Sequence, residues 1–366
     1  MSIHNMFWKQ LSLYYILALM FYLTLEEGWT YPEMVRHGYT NCTACHVSPS
    51  GGGVLTQYGR ELSREILSQT SNEDESNFAY GLLKPPEWLN LGGDIRTLVL
   101  YRDTPTAREG SAFIMQADLE AAIAYKKMFA AGTVGGKAPP TPQPIKDYII
   151  SRRHYVGVRP TDEISFRAGK FQHAFGINTP DHAIATKRGL GWDQNTETYN
   201  LEGAYLGENL NTYATAVFGR PDAKELKRET GASISSSVGF WDRYKAGLSY
   251  YYGTNSISRR HVFGPFGILG FTPSFSLLTE LDFTQRGFGN YEKIDYEFIQ
   301  GFHGFLTQEF SKSKFNPSLS LNKTSGIGIQ YFPRPHFELS LTYQVLIVSG
   351  LSGYTELLFF LFHFYP

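Results

Sequence analysis

Two cysteines and one histidine in a single short run are the residues of this chain best suited to chemistry. They lie in Cys42-Thr43-Ala44-Cys45-His46, and they include the only two cysteines among 366 residues. A C-x-x-C-H sequence is the attachment site of a c-type haem: both thiols form thioether bonds, and the histidine gives an imidazole to the iron. The spacing therefore predicts one covalent haem c, with His46 as the proximal ligand of the haem iron.

Three other uses of a cysteine pair fit this sequence poorly. A structural zinc site needs four ligands, usually from two such pairs, and the chain has no second pair. A thioredoxin-like pair lies at the end of a strand in a βαβ unit, whereas the run Val47-Ser48-Pro49-Ser50-Gly51-Gly52-Gly53 follows here. A disulfide between residues three apart would close too short a loop to stabilise the chain.

Haem of this type is attached outside the cytoplasmic membrane, so the motif requires an exported chain. Residues 1–30 have the pattern of a signal peptide, in which Lys9 precedes the apolar run Leu11 to Leu25. That run is shorter than the roughly 20 residues of a membrane span. Gly28 and Thr30 are the best candidates for the cleavage site, and an uncleaved anchor is the alternative.

Composition narrows the class of the remaining chain. The formal net charge is −1, so nothing indicates a nucleic-acid partner. Aromatic residues make up 15% of the chain, glycine contributes 36 residues, and no later apolar run is long enough for a spanning helix. These features leave a large soluble β-sandwich or an outer-membrane β-barrel.

A two-residue period that begins near Trp88 favours the barrel. In segment 113–125 the odd-numbered residues are apolar, whereas Gln116, Asp118 and Glu120 lie on the other face. A strand of this length with carboxylates on one face suits a tilted membrane strand around a wet lumen. We therefore predict an all-β fold, a transmembrane antiparallel β-barrel of about 14 strands (14–16) in the outer membrane.

The other predicted strands follow at short intervals. They are 91–101, 148–159, 164–171, 198–206, 212–218, 230–238, 244–252, 275–283, 296–310, 326–332, 338–348 and 354–364, with weaker ones near Phe129 and Val262.

The pattern along the chain divides it into four parts. Residues 1–30 are the predicted signal peptide, and residues 31–71 a short helical segment that carries the haem. Residues 72–88 form an acidic, proline-ended linker, and residues 89–366 form the barrel. About 40 residues cannot bury a haem in a core of their own. We therefore expect the barrel to complete the haem pocket.

The residues around the motif resemble the start of the fused monohaem cytochrome-porins, whose best-known members are outer-membrane iron oxidases. The likeness lies in residues 31–39 before the motif and in Leu55-Thr56-Gln57-Tyr58-Gly59-Arg60 after it. It implies that Cys42, Cys45 and His46 carry the haem. It also implies an electron-transfer protein, with extracellular iron oxidase as one activity of the family. The run Gly51-Gly52-Gly53 departs from the pattern of those oxidases.

The remaining haem contacts stay open. Arg60 and Arg36 are candidates for ion pairs with haem propionates. No methionine or histidine lies between His46 and Met115, where a small cytochrome normally offers its second axial ligand. The candidates for that ligand are Met34 and His37 upstream of the motif, barrel residues such as His154 or His173, and water.

A basic cluster lies in the predicted barrel. The run Ser151-Arg152-Arg153-His154 and Arg159 lie in one predicted strand, and Arg167 and Lys170 in the next. The odd-numbered members of the cluster project to one side of the sheet. If this side of the sheet is the lumen, the cluster faces the carboxylates of segment 113–125 and narrows the pore with charges of both signs. Charges at the rim of the barrel are the alternative.

These features predict a c-type cytochrome fused to a porin-like barrel, which carries single electrons between an extracellular donor or acceptor and periplasmic carriers. Its expected partners are outer-membrane lipid, a periplasmic electron carrier and an extracellular redox partner. The alternative is a diffusion porin whose haem segment is a plug or a redox sensor. A haem-bearing periplasmic sandwich enzyme, the third possibility, would be soluble.

Overall fold

The structure, a computed structural model, describes residues 31–136, 149–193, 195–221, 228–285, 287–313, 321–349 and 352–366. The predicted signal peptide, with its run Leu11 to Leu25 and its cleavage candidates Gly28 and Thr30, lies outside these residues. Among the described residues, no helix combines the length and apolarity needed to cross a membrane.

The described part of the chain is dominated by seventeen strand segments in one antiparallel sheet. Their bounds are β1 Leu89–Asp103, β2 Arg108–Tyr125, β3 Met128–Gly136, β4 Ile149–Ile150, β5 His154–Val158, β6 Ile164–Phe171, β7 Thr198–Leu206, β8 Leu210–Gly219, β9 Thr230–Phe240, β10 Tyr244–Thr254, β11 Arg259–Thr272, β12 Phe275–Thr284, β13 Gly287–Ile299, β14 Phe302–Ser313, β15 Asn322–Tyr331, β16 Phe337–Val348 and β17 Thr355–Phe364.

The sheet closes into a barrel of 16 strands. Neighbouring segments pair in chain order, and β17 returns to pair with β1, from Ile95 opposite Phe364 to Asp103 opposite Glu356. Both β4 and β5 pair with β3, so they are two parts of one strand that is interrupted at residues 151–153. The predicted closed antiparallel barrel is confirmed, with 16 strands rather than about 14.

One predicted strand is corrected, because it covers parts of two strands. The predicted strand 296–310 spans the end of β13, a tight turn at Gln300 and Gly301, and most of β14. Gly301 has φ +76°, a conformation that glycine adopts without steric cost. Apolar and aromatic residues continue on both sides of this turn, so the sequence shows no break there.

The two faces of the strands differ as the alternation predicts. On β2, Gln116, Asp118 and Glu120 are buried in the lumen, while Leu119 between them is 69% exposed. An apolar belt around the outside suits lipid rather than water. Exposed large apolar side chains lie on nearly every strand, among them Val99, Leu119, Val134, Val156, Phe166, Leu201, Phe218, Ile234, Leu248, Phe263, Phe283, Ile294, Leu306, Ile327, Leu341 and Phe360.

The two ends of the barrel differ in the length of their connections. The start of β1 and the end of β17 lie at the end where the turns are short, such as residues 126–127 between β2 and β3. The longest connection, residues 172–197 between β6 and β7, lies at the other end. In outer-membrane barrels the short turns face the periplasm. We therefore name this end the periplasmic mouth.

Residues 31–88 dock on the barrel wall and turns near the periplasmic mouth, and we call this segment the plug. Its helical pieces are short: 3-10 turns Tyr31–His37, Cys42–Ala44, Glu73–Ser76 and Phe78–Gly81, and the α-helix Gln57–Leu62, which continues into a π-turn Ser63–Leu67. The predicted linker is also docked, because Tyr80 Oη donates to the carbonyl of Pro335, 2.9 Å away, in the turn before β16.

Charged groups anchor the plug to the barrel wall. The fully buried Arg36 donates through Nη1 to Asp295 Oδ1 at 2.8 Å and through Nη2 to Glu297 Oε2 at 2.9 Å, both on β13. Lys293, on the same strand, donates to Glu33 Oε1 at 2.9 Å. These pairs join residues about 260 positions apart in sequence.

Residues 172–197, which we call the inner loop, fold back into the lumen from the opposite side. The backbone N–H of Gly176 donates to Ser249 Oγ at 2.9 Å, and that of Ile177 donates to Glu280 Oε2 at 2.8 Å. Both acceptors belong to distant strands, β10 and β12, and they point inward. The plug and the inner loop therefore enclose a cavity between them.

Candidate cofactor site in the lumen

The enclosed cavity has a volume of ≈ 470 Å³ and is lined by Cys42, Cys45 and His46 of the plug. Cofactor sites in proteins are commonly about 300–1,000 Å³ in volume. Residues of the inner loop and inward-facing residues of the barrel form the remaining walls. The three motif residues thus face a cavity that neither the plug nor the barrel forms alone.

Local hydrogen bonds fold the motif into a compact turn. Asn41 caps the 3-10 turn Cys42–Ala44 by accepting from the backbone N–H of Thr43 at 3.0 Å, and the N–H of His46 donates to the carbonyl of Cys42 at 3.0 Å. Residues three apart in such a turn point to the same side. Both cysteines are unpaired and partly exposed, so both thiols are accessible from the cavity.

The cysteine pair lacks the features of a redox or thiolate site. Burial raises the pKa of the Cys45 thiol to about 11, so this thiol is protonated at neutral pH. Redox-active and metal-binding thiols have lowered pKa values and exist as thiolates. Among the described residues, no group of three or more histidines, cysteines or carboxylates could hold a metal ion by itself.

The second motif, Leu55 to Arg60, packs against the haem-attachment turn. The N–H of Thr56 donates to the carbonyl of Cys45 at 2.9 Å, and its hydroxyl accepts from the N–H of Gly59 at 3.1 Å to cap the helix Gln57–Leu62. A Cβ atom on Gly59 would clash with the carbonyl of Cys45. Threonine and glycine are therefore required here because they hold the turn that presents the cysteines.

The glycine run gives His46 its orientation. Gly51, Gly52 and Gly53 have φ values of +83°, +71° and +72°, which L-residues rarely adopt. This path brings the carbonyl of Gly53 to 3.4 Å from His46 Nδ1. A hydrogen bond at Nδ1 leaves Nε2 free to bind a metal, which is the usual second-shell arrangement of ligating histidines. The carbonyl of the nearby Pro49 accepts instead from Tyr213 Oη at 3.0 Å.

His46 has the protonation state of a metal ligand. Burial lowers the pKa of its imidazole to about 4, so the ring is neutral at physiological pH. A neutral imidazole keeps the nitrogen lone pair that binds iron.

Several guanidinium groups line the cavity. Arg60 does so, and it also donates to the carbonyls of Leu91 and Pro366. Arg36, the other propionate candidate, does not line the cavity and instead forms the buried ion pairs with β13. Arg153 also lines the cavity, with a loose pair to Glu120 at 3.9 Å. Cavity-facing guanidinium groups suit the two carboxylates of a haem.

Arg153 and Arg167 of the basic cluster face the lumen, as the first alternative predicts, and so does Arg152, where the strand is interrupted. Lys170 does not: it lies opposite the outward-facing His154, and its Nζ donates to the carbonyl of Ser151 at 2.7 Å. Arg152 pairs with Asp118, and Arg167 Nη2 pairs with Glu202 Oε1 at 2.7 Å. Arg167 also donates to the Ser48 hydroxyl of the plug at 2.9 Å. The cluster therefore does two things: it neutralises lumen carboxylates, and it holds the loop that follows His46.

The candidates for a second axial ligand are spread over different places. Met34 lines the cavity, whereas His37 does not, and His37 Nε2 accepts from Arg36 Nε at 3.1 Å. His154 lies on the outer face of β5, and its ring contacts Ser151 and Tyr199. His173, on the inner loop, lines the cavity. The structure thus brings Met34 and His173 to the motif, but not His37 or His154.

Comparisons with known proteins bear on the barrel alone. No protein-family model and no curated protein matches the chain. Among solved structures, OmpF of Salmonella typhi, solved in complex with daunomycin, is similar with a TM-score of 0.60 at 10% identity, over 76% of this chain and 97% of that one. OprB of Pseudomonas putida gives 0.61 at 8%, over 76% and 94%. DcaP of Acinetobacter baumannii, an outer membrane channel, gives 0.54 at 10%, over 75% and 97%.

These likenesses show a porin-like fold. Together with the closed 16-stranded barrel and its apolar outer belt, they confirm the predicted location in the outer membrane and the predicted contact with membrane lipid.

Proposed function

We propose that this chain holds one covalent haem c inside an outer-membrane barrel and passes single electrons between a periplasmic carrier and an extracellular redox partner. The observation that carries the proposal is the placement of Cys42, Cys45 and a neutral His46 on one cavity within the lumen. A bound haem supplies a reversible one-electron iron couple, whose potential the protein tunes through ligands, hydrogen bonds and burial.

The residues of this chain fit such a group. The two thiols would form the thioether bonds, His46 would give the proximal imidazole, and the cavity-lining Arg60 and Arg153 would face the propionates. The Gly53 carbonyl would keep the His46 ring in one orientation. The plug supplies all three attachment residues, and the inner loop and the barrel strands supply the remaining walls of the cavity.

The plug also argues for electrons rather than solutes as the transported species. Its segment 31–40 is bound to β8, β10 and β13, and the buried Arg36 fixes it to β13. Its segment 63–70 is bound to the turns before β14 and β16 at the periplasmic mouth. A lumen narrowed in this way hinders the passage of solutes. A redox group within it would shorten the distance that an electron must cross.

A second candidate function is a diffusion porin whose haem segment is a plug or a redox sensor. The similarity of the barrel to OmpF, OprB and DcaP favours this candidate. It gives no information on the function of the plug. On this hypothesis the haem would report or regulate, and the plug would move to open the lumen.

Proteoliposomes separate the two candidates. The protein is reconstituted with an oxidised, membrane-impermeant dye inside, and reductant is added outside. The electron-transfer proposal expects dye reduction that is lost in Cys42→Ala/Cys45→Ala, and little ion conductance for wild type in planar bilayers. Porin-like conductance together with no dye reduction would overturn it in favour of the diffusion porin.

A further inference from the structure

One imidazole on the cavity wall has no partner for either of its nitrogens. His173, on the inner loop, is 5% exposed, and neither Nδ1 nor Nε2 has a hydrogen-bond partner among the described residues. A buried polar group without a partner is destabilising, because it has lost its hydrogen bonds to water. Such groups are rare in native proteins, and an ion, a ligand or a water usually explains them.

His173 differs in this respect from the other histidines on the cavity. Among the cavity-lining residues that the structure describes, the histidines are His46, His173, His182 and His363. His182 Nδ1 lies 2.5 Å from Asp193 Oδ1, and His363 Nδ1 lies 2.8 Å from Glu338 Oε2. His46 faces the carbonyl of Gly53. The pairing of these three rings is thus accounted for within the protein.

Aromatic neighbours hold the His173 ring in place. Tyr251 stacks on it with centroids 5.0 Å apart at 22°, and Trp192 meets it edge-on at 4.9 Å and 87°. Burial, together with the nearby cations Arg260 and Lys187, lowers the pKa of His173 to about 3. The ring is therefore neutral, which is the form that binds a metal.

We propose that His173 is the second axial ligand of the haem iron, in addition to His46. This inference rests on the proposed function, because it requires a haem in the cavity. Met34 lines the same cavity, but a thioether is apolar enough to be buried without a partner. The imidazole of His173 is not, and iron coordination would satisfy one of its nitrogens. The inner loop would then complete the haem site from the side opposite the plug.

Optical and magnetic-resonance spectra of the purified full-length protein test this assignment. We expect the wild-type ferric haem to be six-coordinate and low-spin, with the electron paramagnetic resonance signature of two imidazole ligands. We expect His173→Ala to lose that signature and to bind carbon monoxide and external imidazole, with an affinity for imidazole at least about tenfold above that of wild type, because the competing ligand is gone. External imidazole should restore the low-spin spectrum.

His336→Ala is the matched control. His336 is 1% exposed and its two ring nitrogens also have no partner among the described residues, but it lies in the turn before β16 and does not line the cavity. Its substitution should leave the spectrum unchanged. Met34→Leu should do the same, and loss of the low-spin signature in that variant with retention in His173→Ala would assign the ligand to Met34.

Two results overturn the assignment. One is a wild-type signature that lacks a second imidazole, a measurement that stands even if His173→Ala does not fold. The other is a folded His173→Ala protein with the wild-type spectrum. Covalent haem staining is scored separately. An unstained wild-type band would contradict the proposed function itself. A stained band together with either result above would contradict only the role of His173.

Discussion

At the level of single residues, different groups would attach the haem and orient its ligand: the cysteine thiols would attach it, and the surrounding backbone orients His46. Cys42 and Cys45 would bind the haem covalently, and burial keeps Cys45 as a thiol rather than a reactive thiolate. Orientation comes from the backbone around them, where glycines allow a path that other residues cannot follow. Gly53 brings its carbonyl to His46, and Gly59 lets a helix approach Cys45.

Removing the thiols should remove the cofactor. In Cys42→Ala/Cys45→Ala we expect complete loss of the haem-dependent peroxidase stain that survives denaturing electrophoresis, because no thioether bond can form. Thr43→Ala, between the two cysteines, is the control and should retain the stain. Expression needs a host with the haem-attachment machinery, and an unstained wild-type band from such a host would contradict the haem hypothesis.

Gly59 should be intolerant of the smallest enlargement. In Gly59→Ala the new methyl group meets the backbone of Cys45, and such overpacking costs about 1–3 kcal/mol. We expect less covalent haem per folded barrel, measured as stain intensity against folded protein on an unheated gel. Gly189→Ala is the control, because a Cβ at Gly189 has nothing within 4 Å. Equal staining of the two variants would refute the packing role of Gly59.

At the scale of elements, the position of the plug depends on a few buried charges. Arg36 satisfies two carboxylates of β13, and His303 on β14 lies 3.1 Å from the same Asp295. Breaking a buried ion pair from one side is far more costly than losing an exposed pair, because the remaining charge stays in a medium of low dielectric. The ion pairs of Arg36 therefore hold the plug, because undocking it would leave the buried carboxylates of Asp295 and Glu297 without this partner.

Substitution of Arg36 should release the first part of the plug. For Arg36→Gln we expect a loss of about 3–5 kcal/mol in the free energy that docks this segment. Limited proteolysis should then cut within residues 31–40, and bilayer conductance should rise above that of wild type. Arg188→Gln is the control: its guanidinium is 68% exposed and pairs with Asp193 at 3.2 Å, so its loss should cost at most about 1 kcal/mol. A protease-resistant Arg36→Gln protein would show that other contacts hold the plug.

At the scale of the whole molecule, the sheet closes on itself. The pairing of β17 with β1 leaves no edge strand among the described residues, and a closed barrel can be surrounded by lipid because its strands pair with one another. The apolar belt outside and the charged lumen inside are two faces of the same strands.

A charge on the outer belt should destabilise the barrel according to its depth. Leu119 on β2 is 69% exposed and faces outward, so Leu119→Arg should lower the free energy of unfolding by about 2–4 kcal/mol. Leu82→Arg is the control, because Leu82 is 85% exposed in the plug at the periplasmic mouth and should change stability by less than about 0.5 kcal/mol. Urea unfolding in lipid vesicles, followed by heat-modifiable gel migration, measures both. Equal stability of the two variants would mean that Leu119 does not face lipid.

Features that depend only on residues close in sequence could be predicted from the sequence. The haem motif is contiguous, so its chemistry was evident from Cys42, Cys45 and His46 alone. The face of each side chain on β2 followed from the period of two, and Asp118 and Glu120 are buried as predicted. The number of strands could not be predicted as well, because Gln300 and Gly301 form a turn that does not interrupt the apolar pattern.

Contacts between residues far apart in sequence depend on the tertiary structure. Arg36 pairs with β13 across 259 residues, and the inner loop brings His173 to the cavity of a motif more than 120 positions earlier. These contacts depend on closure of the barrel and on the register of its strands. The alternation of polar and apolar residues along one strand does not specify them. The predicted linker is docked for the same reason: its partner, the turn before β16, lies nearby only because the barrel closes.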